Sequence, residues 1–372
     1  MKALYGFLTL IVAFGFFAAS PTFAAEKSID QYFLDDVDYE HWAYNALERF
    51  LYADIIDGYA ETEKYEEDGE EYEYTYVSIK PNNSITRAEF TKILVNAMNL
   101  REDGKGKTFS DVKPSSWYSE YVNIAGSHGI IQGKTADTFG PNDKITRVQM
   151  AVMIYRAFQP TIDFSASGKA FADVPQEHFA YEAVIKTAAK GIIKGKSNGF
   201  KPRDNATRAE AIVMIDRSLH LEPGTGEDQT AAMQTVDRNI KDEAAYSVQE
   251  DYEALKTLYR ETTTGYHLAY SLDSLGLSDM IEEDREVAME QIGEYTINPV
   301  SVNKQFAEVR VDGLEYKVSM TAPKMSLDMT VDLSGTASLK KSEDGKWKIY
   351  NVVFDEEVYG EDWTETIATE VN

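Results

Sequence analysis

The chain has 372 residues, 43% of them hydrophobic and 27% charged, with no cysteine. Acidic residues outnumber basic ones, 63 to 37, for a formal net charge of −26. That length implies two or more domains. The acidity argues against broad electrostatic binding to nucleic acid or anionic lipid, and the missing Cys removes disulfides, thiolate metal sites and a thiol nucleophile.

The N-terminus sets the compartment. Lys2 is the only charge before Glu26, and an apolar run over 3–19 leads to Pro21-Thr22-Phe23-Ala24. A basic residue, an apolar core and small residues near a cut site read as a secretory signal peptide over 1–24, cleaved after Ala24. The alternative is an uncut membrane anchor, for which the run is short. No later stretch approaches the ~20 apolar residues of a span, so no membrane contact is expected after cleavage.

Three similar segments follow. The first contains Phe33-Leu34-Asp35-Asp36-Val37, His41-Trp42-Ala43, Ile55-Ile56-Asp57-Gly58 and Ile85-Thr86-Arg87-Ala88-Glu89. The second repeats these as Phe109-Ser110-Asp111-Val112, Ser116-Trp117-Tyr118, Gly129-Ile130-Ile131-Gln132-Gly133 and Ile145-Thr146-Arg147-Val148-Gln149. The third has Phe171-Ala172-Asp173-Val174, His178-Phe179-Ala180, Gly191-Ile192-Ile193-Lys194-Gly195 and Ala206-Thr207-Arg208-Ala209-Glu210. A near-fixed period means one supersecondary unit used three times. Each unit reads as helix, loop, helix. Phe90, Ile93, Leu94, Ala97 and Met98 follow helical spacing, as do Met150, Met153, Ile154, Ala157 and Phe158. The third unit repeats this with Ala211, Met214, Ile215 and Leu219, which predicts a central three-helix core. Thr86 with Glu89, Thr146 with Gln149 and Thr207 with Glu210 are spaced as capping boxes.

Arg87, Arg147 and Arg208 are left over. Each sits in the first turn of its helix, where the macrodipole disfavours a cation by roughly 0.3–1 kcal/mol. Either each pairs with an acid in solvent, or free helix amides and a guanidinium together hold an anion.

The ordered recurrence of Phe-x-Asp-Val, an aromatic, the Gly-Ile-Ile-x-Gly turn and Thr-Arg-Ala-Glu resembles the S-layer homology (SLH) domain. The resemblance covers about residues 29–221, with repeats at 29–100, 105–160 and 167–221. It implies an all-α pseudo-threefold helical bundle with grooves between repeats. It also implies non-covalent attachment to a Gram-positive-type cell wall, through a secondary cell-wall polysaccharide ending in a pyruvylated amino sugar. Position by position, the binding Arg falls on Arg87, Arg147 and Arg208, and the aromatic on Trp42 and Trp117. The turn Gly falls on Gly58, Gly133 and Gly195, while Asp36, Asp111 and Asp173 become partners of sugar hydroxyls. The bland alternatives are helix capping for the Asp and core packing for the Trp. Phe179 stands where the other units have Trp. Unit one carries about 15 extra residues near 60–76, rich in Glu and Tyr. They lack EF-hand spacing and read as a solvated acidic loop that repels an anionic polymer from the adjacent groove.

Residues 222–236 read as a linker, beginning Glu222-Pro223-Gly224-Thr225-Gly226. From Val236 to Tyr259 one apolar face traces a long helix, and a further helical stretch runs from about 267 to 291. Alternating strands surround Asp312-Gly313, which predicts a hairpin turn there. More strands follow over 325–333, 336–341 and 347–354. Residues 237–372 therefore predict an α+β domain, helices packed on a curved antiparallel sheet. Its order, with the Asp344-Gly345-Lys346-Trp347 hairpin, resembles the nuclear-transport-factor-two-like cone.

No metal-ligand spacing, phosphate loop or Gly-x-Ser-x-Gly nucleophile motif is present, so no metal, cofactor or catalytic residue is expected. His267, between Tyr266 and Tyr270, is the one His placed to enter a cone. Three functions remain in view: a wall-anchored surface protein, an SLH-anchored hydrolase with catalysis in 237–372, and a C-terminal module that forms a homodimer through its sheet.

Overall fold

The three capping boxes start three helices where the sequence places them. In the computed structural model, which describes residues 26–67, 70–166, 168, 170–278, 286–322 and 325–355, the signal peptide expected over 1–24 lies outside the described residues. After a single 3₁₀ turn at Ile29–Tyr32, unit one comprises α1 (Tyr44–Tyr52), β1 (Tyr59–Glu67), β2 (Glu70–Ser78) and α2 (Arg87–Ala97). Unit two has α3 (Ser119–Ser127) and α4 (Arg147–Phe158), and unit three has α5 (Tyr181–Ala189) and α6 (Arg208–Leu219). Thr86 Oγ1 accepts from the Glu89 amide at 3.2 Å while Glu89 Oε2 accepts from the Thr86 amide at 2.7 Å. Units two and three repeat this reciprocal pair.

The helix starts also bind one another. The Ile85 amide donates to the Ala206 carbonyl (3.1 Å), Ala206 to Ile145 (2.9 Å) and Ile145 to Ile85 (3.0 Å), which closes a ring across the units. Around that ring α6 packs on both α2 and α4. Phe90, Met150 and Ala211, one from each stripe, are wholly buried.

The acidic insertion is not a loop. It forms a hairpin paired from Tyr59↔Ser78 to Glu67↔Glu70. Tyr65 and Tyr72 stack across the strands at 5.5 Å, the Thr62 and Thr75 hydroxyls meet at 2.9 Å, and Lys64 reaches Glu71 and Glu73 at 2.7 and 2.6 Å. Such cross-strand pairs are what stabilise a sheet. Alternating Tyr and Thr supplied the β signal, and the charge count hid it. Buried Val77 and Ile79 root the hairpin in the bundle core.

The expected linker is also structured. Thr225 and Asp228 form a further capping box, so α7 (Gly226–Val248) begins within it. The long helix predicted to Tyr259 turns back at Glu250 (φ 53°), and α8 (Tyr252–Thr262) restarts under an Asp251 cap. Next comes α9 (Gly265–Ser278). The helix expected to run to 291 instead gives way to β3 (Glu286–Ile292). The remaining strands are β4 (Thr296–Val302), β5 (Phe306–Asp312), β6 (Glu315–Ala322), β7 (Met325–Asp332), β8 (Gly335–Lys341) and β9 (Trp347–Phe354). They form two antiparallel sheets, ordered β3-β6-β7 and β4-β5-β8-β9.

Asp312-Gly313 is therefore not a hairpin turn. β5 pairs with β8 and β6 with β7, so the chain passes from one sheet into the other at Gly313 (φ 75°), whose amide donates to Ser334 Oγ at 2.9 Å. The α+β class holds for this half.

The two halves are not beads on a tether. Phe306, Tyr350 and Ala269 belong to the same apolar cluster as the bundle core. Tyr266 stacks on Tyr52 at 4.3 Å, and His220 lies parallel to Phe306 at 5.8 Å. Pro223 bridges to Asn303, and the carboxylate of fully buried Glu222 accepts from Thr161 Oγ1 at 2.7 Å. A domain docked this way holds one orientation against the repeats.

Candidate functional site

The three repeated Arg are buried, not solvated: Arg87 is 5% exposed, Arg147 1% and Arg208 9%. Their helix amides are not free to hold an anion. The Arg87 amide donates to the Asp143 carbonyl, Arg147 to Asp204 and Arg208 to Asn83, each at 2.9 Å, so each unit closes the helix start of its neighbour. Any anion site here depends on the guanidinium itself.

Each guanidinium crosses into the next unit. Arg87 lies over the Phe139 ring (4.7 Å) and donates from Nε to the Phe139 carbonyl (2.8 Å). Arg147 does the same with Phe200, at 5.2 and 3.0 Å. Asp111 holds the receiving loop by accepting the Phe139 and Gly140 amides at 2.8 and 2.7 Å. Asp173 accepts the Phe200 and Lys201 amides at 2.9 and 2.8 Å, and Asp36 those of Ile79 and Lys80 at 2.7 Å each. Both carboxylate oxygens of all three Asp therefore hold backbone. None of them caps the following helix.

Unit one breaks this symmetry. Ile79 takes the place of the Phe, and Arg208 lies over the ring of Tyr59 at 5.4 Å. Its Nε is buried without a hydrogen-bond partner among the described residues. It borders a cavity of about 320 Å³, where Lys80, Lys144 and Arg208 face a single acid, Glu89. Lys144 Nζ is tied to the Ser84 carbonyl at 2.8 Å.

The three Arg also differ in charge balance. Arg147 Nη1 meets Glu210 Oε1 at 2.7 Å and Nη2 meets the Lys194 carbonyl in the Gly turn at 3.0 Å. Where unit three has Glu210, unit two has Gln149, which brings no charge to Arg87. Among the described residues no carboxylate lies within ion-pair distance of Arg87 or Arg208. Desolvation holds the Arg87 pKa below the ordinary arginine range, although Asp143 and Asp111 pull it back up.

Burial raises the pKa values of Asp111 and Asp173, but the amide hydrogen bonds outweigh it and leave both lowered. A carboxylate lowered on folding adds stability above its unfolded pKa of about 3.9, and that stability is lost as pH falls through the folded value. The stability these two carboxylates add should therefore be lost only below about pH 4, as read by circular dichroism. Asp111→Asn should unfold less steeply over that window, having lost one such carboxylate.

A family model for the S-layer homology domain matches residues 34–91, 108–151 and 170–212. The chain carries three SLH domains. Relatives include an amylopullulanase of Thermoanaerobacterium thermosulfurigenes, 32% identical over 47% of this chain and 9% of its own length. A cellulosome-anchoring protein of Acetivibrio thermocellus is 31% identical over 40% of this chain and 34% of its own. The S-layer protein sap of Bacillus anthracis is 25% identical over 85% of this chain and 36% of its own, a match of 324 residues that runs beyond the SLH domains. The chain thus spans about a third or less of the length of these relatives.

The remaining SLH motif residues divide into two groups. Trp42 and Trp117 are 60% and 56% exposed, so neither is core, and Phe179 is 77% exposed. Neither Trp lines the Arg208 cavity. Trp117 instead lines a second cavity at the far end of α2, about 15 Å along the helix from Arg87. The turn Gly are packing residues. A Cβ on Gly133 (φ 87°) would lie 2.6 Å from the Phe109 ring, and Gly58 and Gly195 approach Val77 and Phe171 as closely. Sequence reasoning missed Tyr59, Lys80 and Lys144. Lys144, two residues before Thr146, was the one with a usable signal: a base beside the helix start.

Elsewhere, burial pushes His267 down to about 4, so it is neutral at ordinary pH, and it stacks on Tyr270 at 6.4 Å. Among the described residues no helix is long and apolar enough to cross a membrane.

Proposed function

We propose that the protein is held at the bacterial cell surface by its SLH domains, which bind an acidic secondary cell-wall polysaccharide, with export under the leader at 1–24. The observation that carries this is the unpaired Arg208 Nε beside a cavity with three cations and one acid. A buried donor without a partner costs free energy that a ligand oxygen recovers. A guanidinium beside two ammonium groups suits a terminal carboxylate, as on a pyruvyl ketal, better than a neutral hydroxyl.

In this proposal Arg208 and Arg87 serve as ligand sites, while the Arg147 groove is silent because Glu210 already neutralises it. The pseudo-threefold bundle fits the closed ring of helix starts. The cone-like description of the C-terminal domain is supported by helices packed on antiparallel sheets. That domain acts as a docked partner of the anchor, which fits the apolar cluster the two halves share. The sheet-mediated homodimer forms no part of this proposal.

Purified protein should co-sediment with intact wall sacculi. It should stay in the supernatant once the secondary polymer has been extracted. Equal binding to extracted sacculi would place the affinity in peptidoglycan and end the polysaccharide assignment.

A further inference from the structure

A cavity of about 960 Å³ at the junction of the two halves opens between the end of α2, the start of α3 and the β8–β9 turn. That volume is at the upper end of the ~300–1,000 Å³ of ligand pockets. Half-exposed Trp117 and Tyr121, one helical turn on, line one wall, with Asn96 and Asn123 beside them. The opposite wall is the C-terminal domain, through Lys340 and Glu343.

The cleft is held at a fixed width. Asn99, in the left-handed region at φ 50°, donates from Nδ2 to Gln305 Oε1 (2.9 Å) and to the Lys341 carbonyl (2.6 Å). Gln305 Nε2 returns a bond to the Met98 carbonyl at 3.0 Å. Arg101 Nη2 closes the rim onto Glu343 Oε2 at 2.9 Å. A ligand entering here finds its site already built, so little binding energy is lost to ordering.

Lys340 supplies the second observation. Its ammonium has three donors, and among the described residues its side-chain partner is Asn99 Oδ1 at 3.2 Å, with no carboxylate at ion-pair distance. Burial holds its pKa below the ordinary lysine range, against the pull of Asp54 and Glu343. An under-partnered donor facing a roomy polar cavity calls for acceptor oxygens. The lining, however, holds four acids (Asp54, Glu102, Glu120, Glu343) against Arg101 and Lys340, so an anion is disfavoured. Many neutral oxygens on a ring with an apolar face is the chemistry of an uncharged sugar, which lays that face on an indole.

We propose that this cleft is a neutral-oligosaccharide site built jointly by the second SLH unit and the C-terminal domain, with Trp117 as its platform and Lys340 as its hydroxyl donor. It goes beyond the anchoring site and shares no lining residue with the Arg208 cavity. It gives the docked domain a role, as the second wall of a glycan cleft.

The test is an array of uncharged oligosaccharides of the chitin, cellulose, mannan and galactan series, probed with the full labelled chain. Binding to at least one series is expected, weakened about tenfold or more by Trp117→Ala. Lys340→Gln should weaken the same series, which covers the case in which Trp117→Ala fails to fold. Trp42→Ala and Arg208→Ala should leave array binding intact, and Arg208→Ala alone should lose sacculus binding. An array without signal, or binding indifferent to Trp117→Ala and Lys340→Gln, overturns the cleft assignment and leaves the anchoring proposal standing.

Discussion

Arg208→Ala should remove most of the protein's retention on wall sacculi while leaving its melting curve nearly unchanged; Arg147→Ala should do the reverse. The two side chains occupy equivalent positions in the repeat, so the contrast comes from their surroundings. Arg208 makes no ion pair among the described residues, and its Nε is unsatisfied. Truncating it removes an orphaned donor, which costs the fold little. Arg147 is 1% exposed and bonded to two carbonyls and Glu210. Breaking a buried pair by removing one partner costs about 3–5 kcal/mol, because the other charge stays behind. Lys196 Nζ, 3.4 Å from the same Glu210 oxygen, recovers part of that, so a loss of about 3 kcal/mol is expected. Urea unfolding and co-sedimentation of both variants decide the matter. Equal binding losses would mean that the three grooves are equivalent after all.

Gly265→Ala should undock the C-terminal domain. Gly265 has φ 57°, a conformation that costs an L-residue about 1–2 kcal/mol. Space is the larger obstacle, since a Cβ there would lie 1.8 Å from the Tyr52 carbonyl oxygen. Backbone cannot yield as a flexible side chain does, so α9 must move away from α1. That movement breaks the Tyr52–Tyr266 stack and pulls Ala269 from the shared core. The variant should melt in two steps and be cut by protease near 222–225, where the parent chain melts as one and resists. An unchanged digest would show that the docking tolerates the shift.

The SLH half was legible because its signals are local. A capping box, an apolar stripe and a repeat period each read along one stretch of chain, and Thr86, Thr146 and Thr207 start helices as their spacing requires. The C-terminal half was harder. The Thr225–Asp228 box was visible but sat in a stretch that Pro and Gly marked as linker. Asp312-Gly313 has the composition of a hairpin turn, yet its partners are set by long-range pairing of β5 with β8 and β6 with β7. No local rule distinguishes a turn from a strand changing sheets.

The residue types of the site were also in the sequence, but their roles were not. Composition and spacing alone establish an acidic chain with three helical repeats, each bringing an Arg to a helix start. What each Arg meets is set by packing between units. Arg147 finds Glu210 from the next unit, Arg87 faces a unit that has Gln149, and Arg208 meets Tyr59 from the inserted hairpin. Likewise, only the fold placed Trp117 opposite Lys340, more than 200 residues along the chain. The reason is that burial and ion pairing depend on partners from other units. Two guanidinium groups with the same neighbours in sequence can therefore differ fully in charge balance.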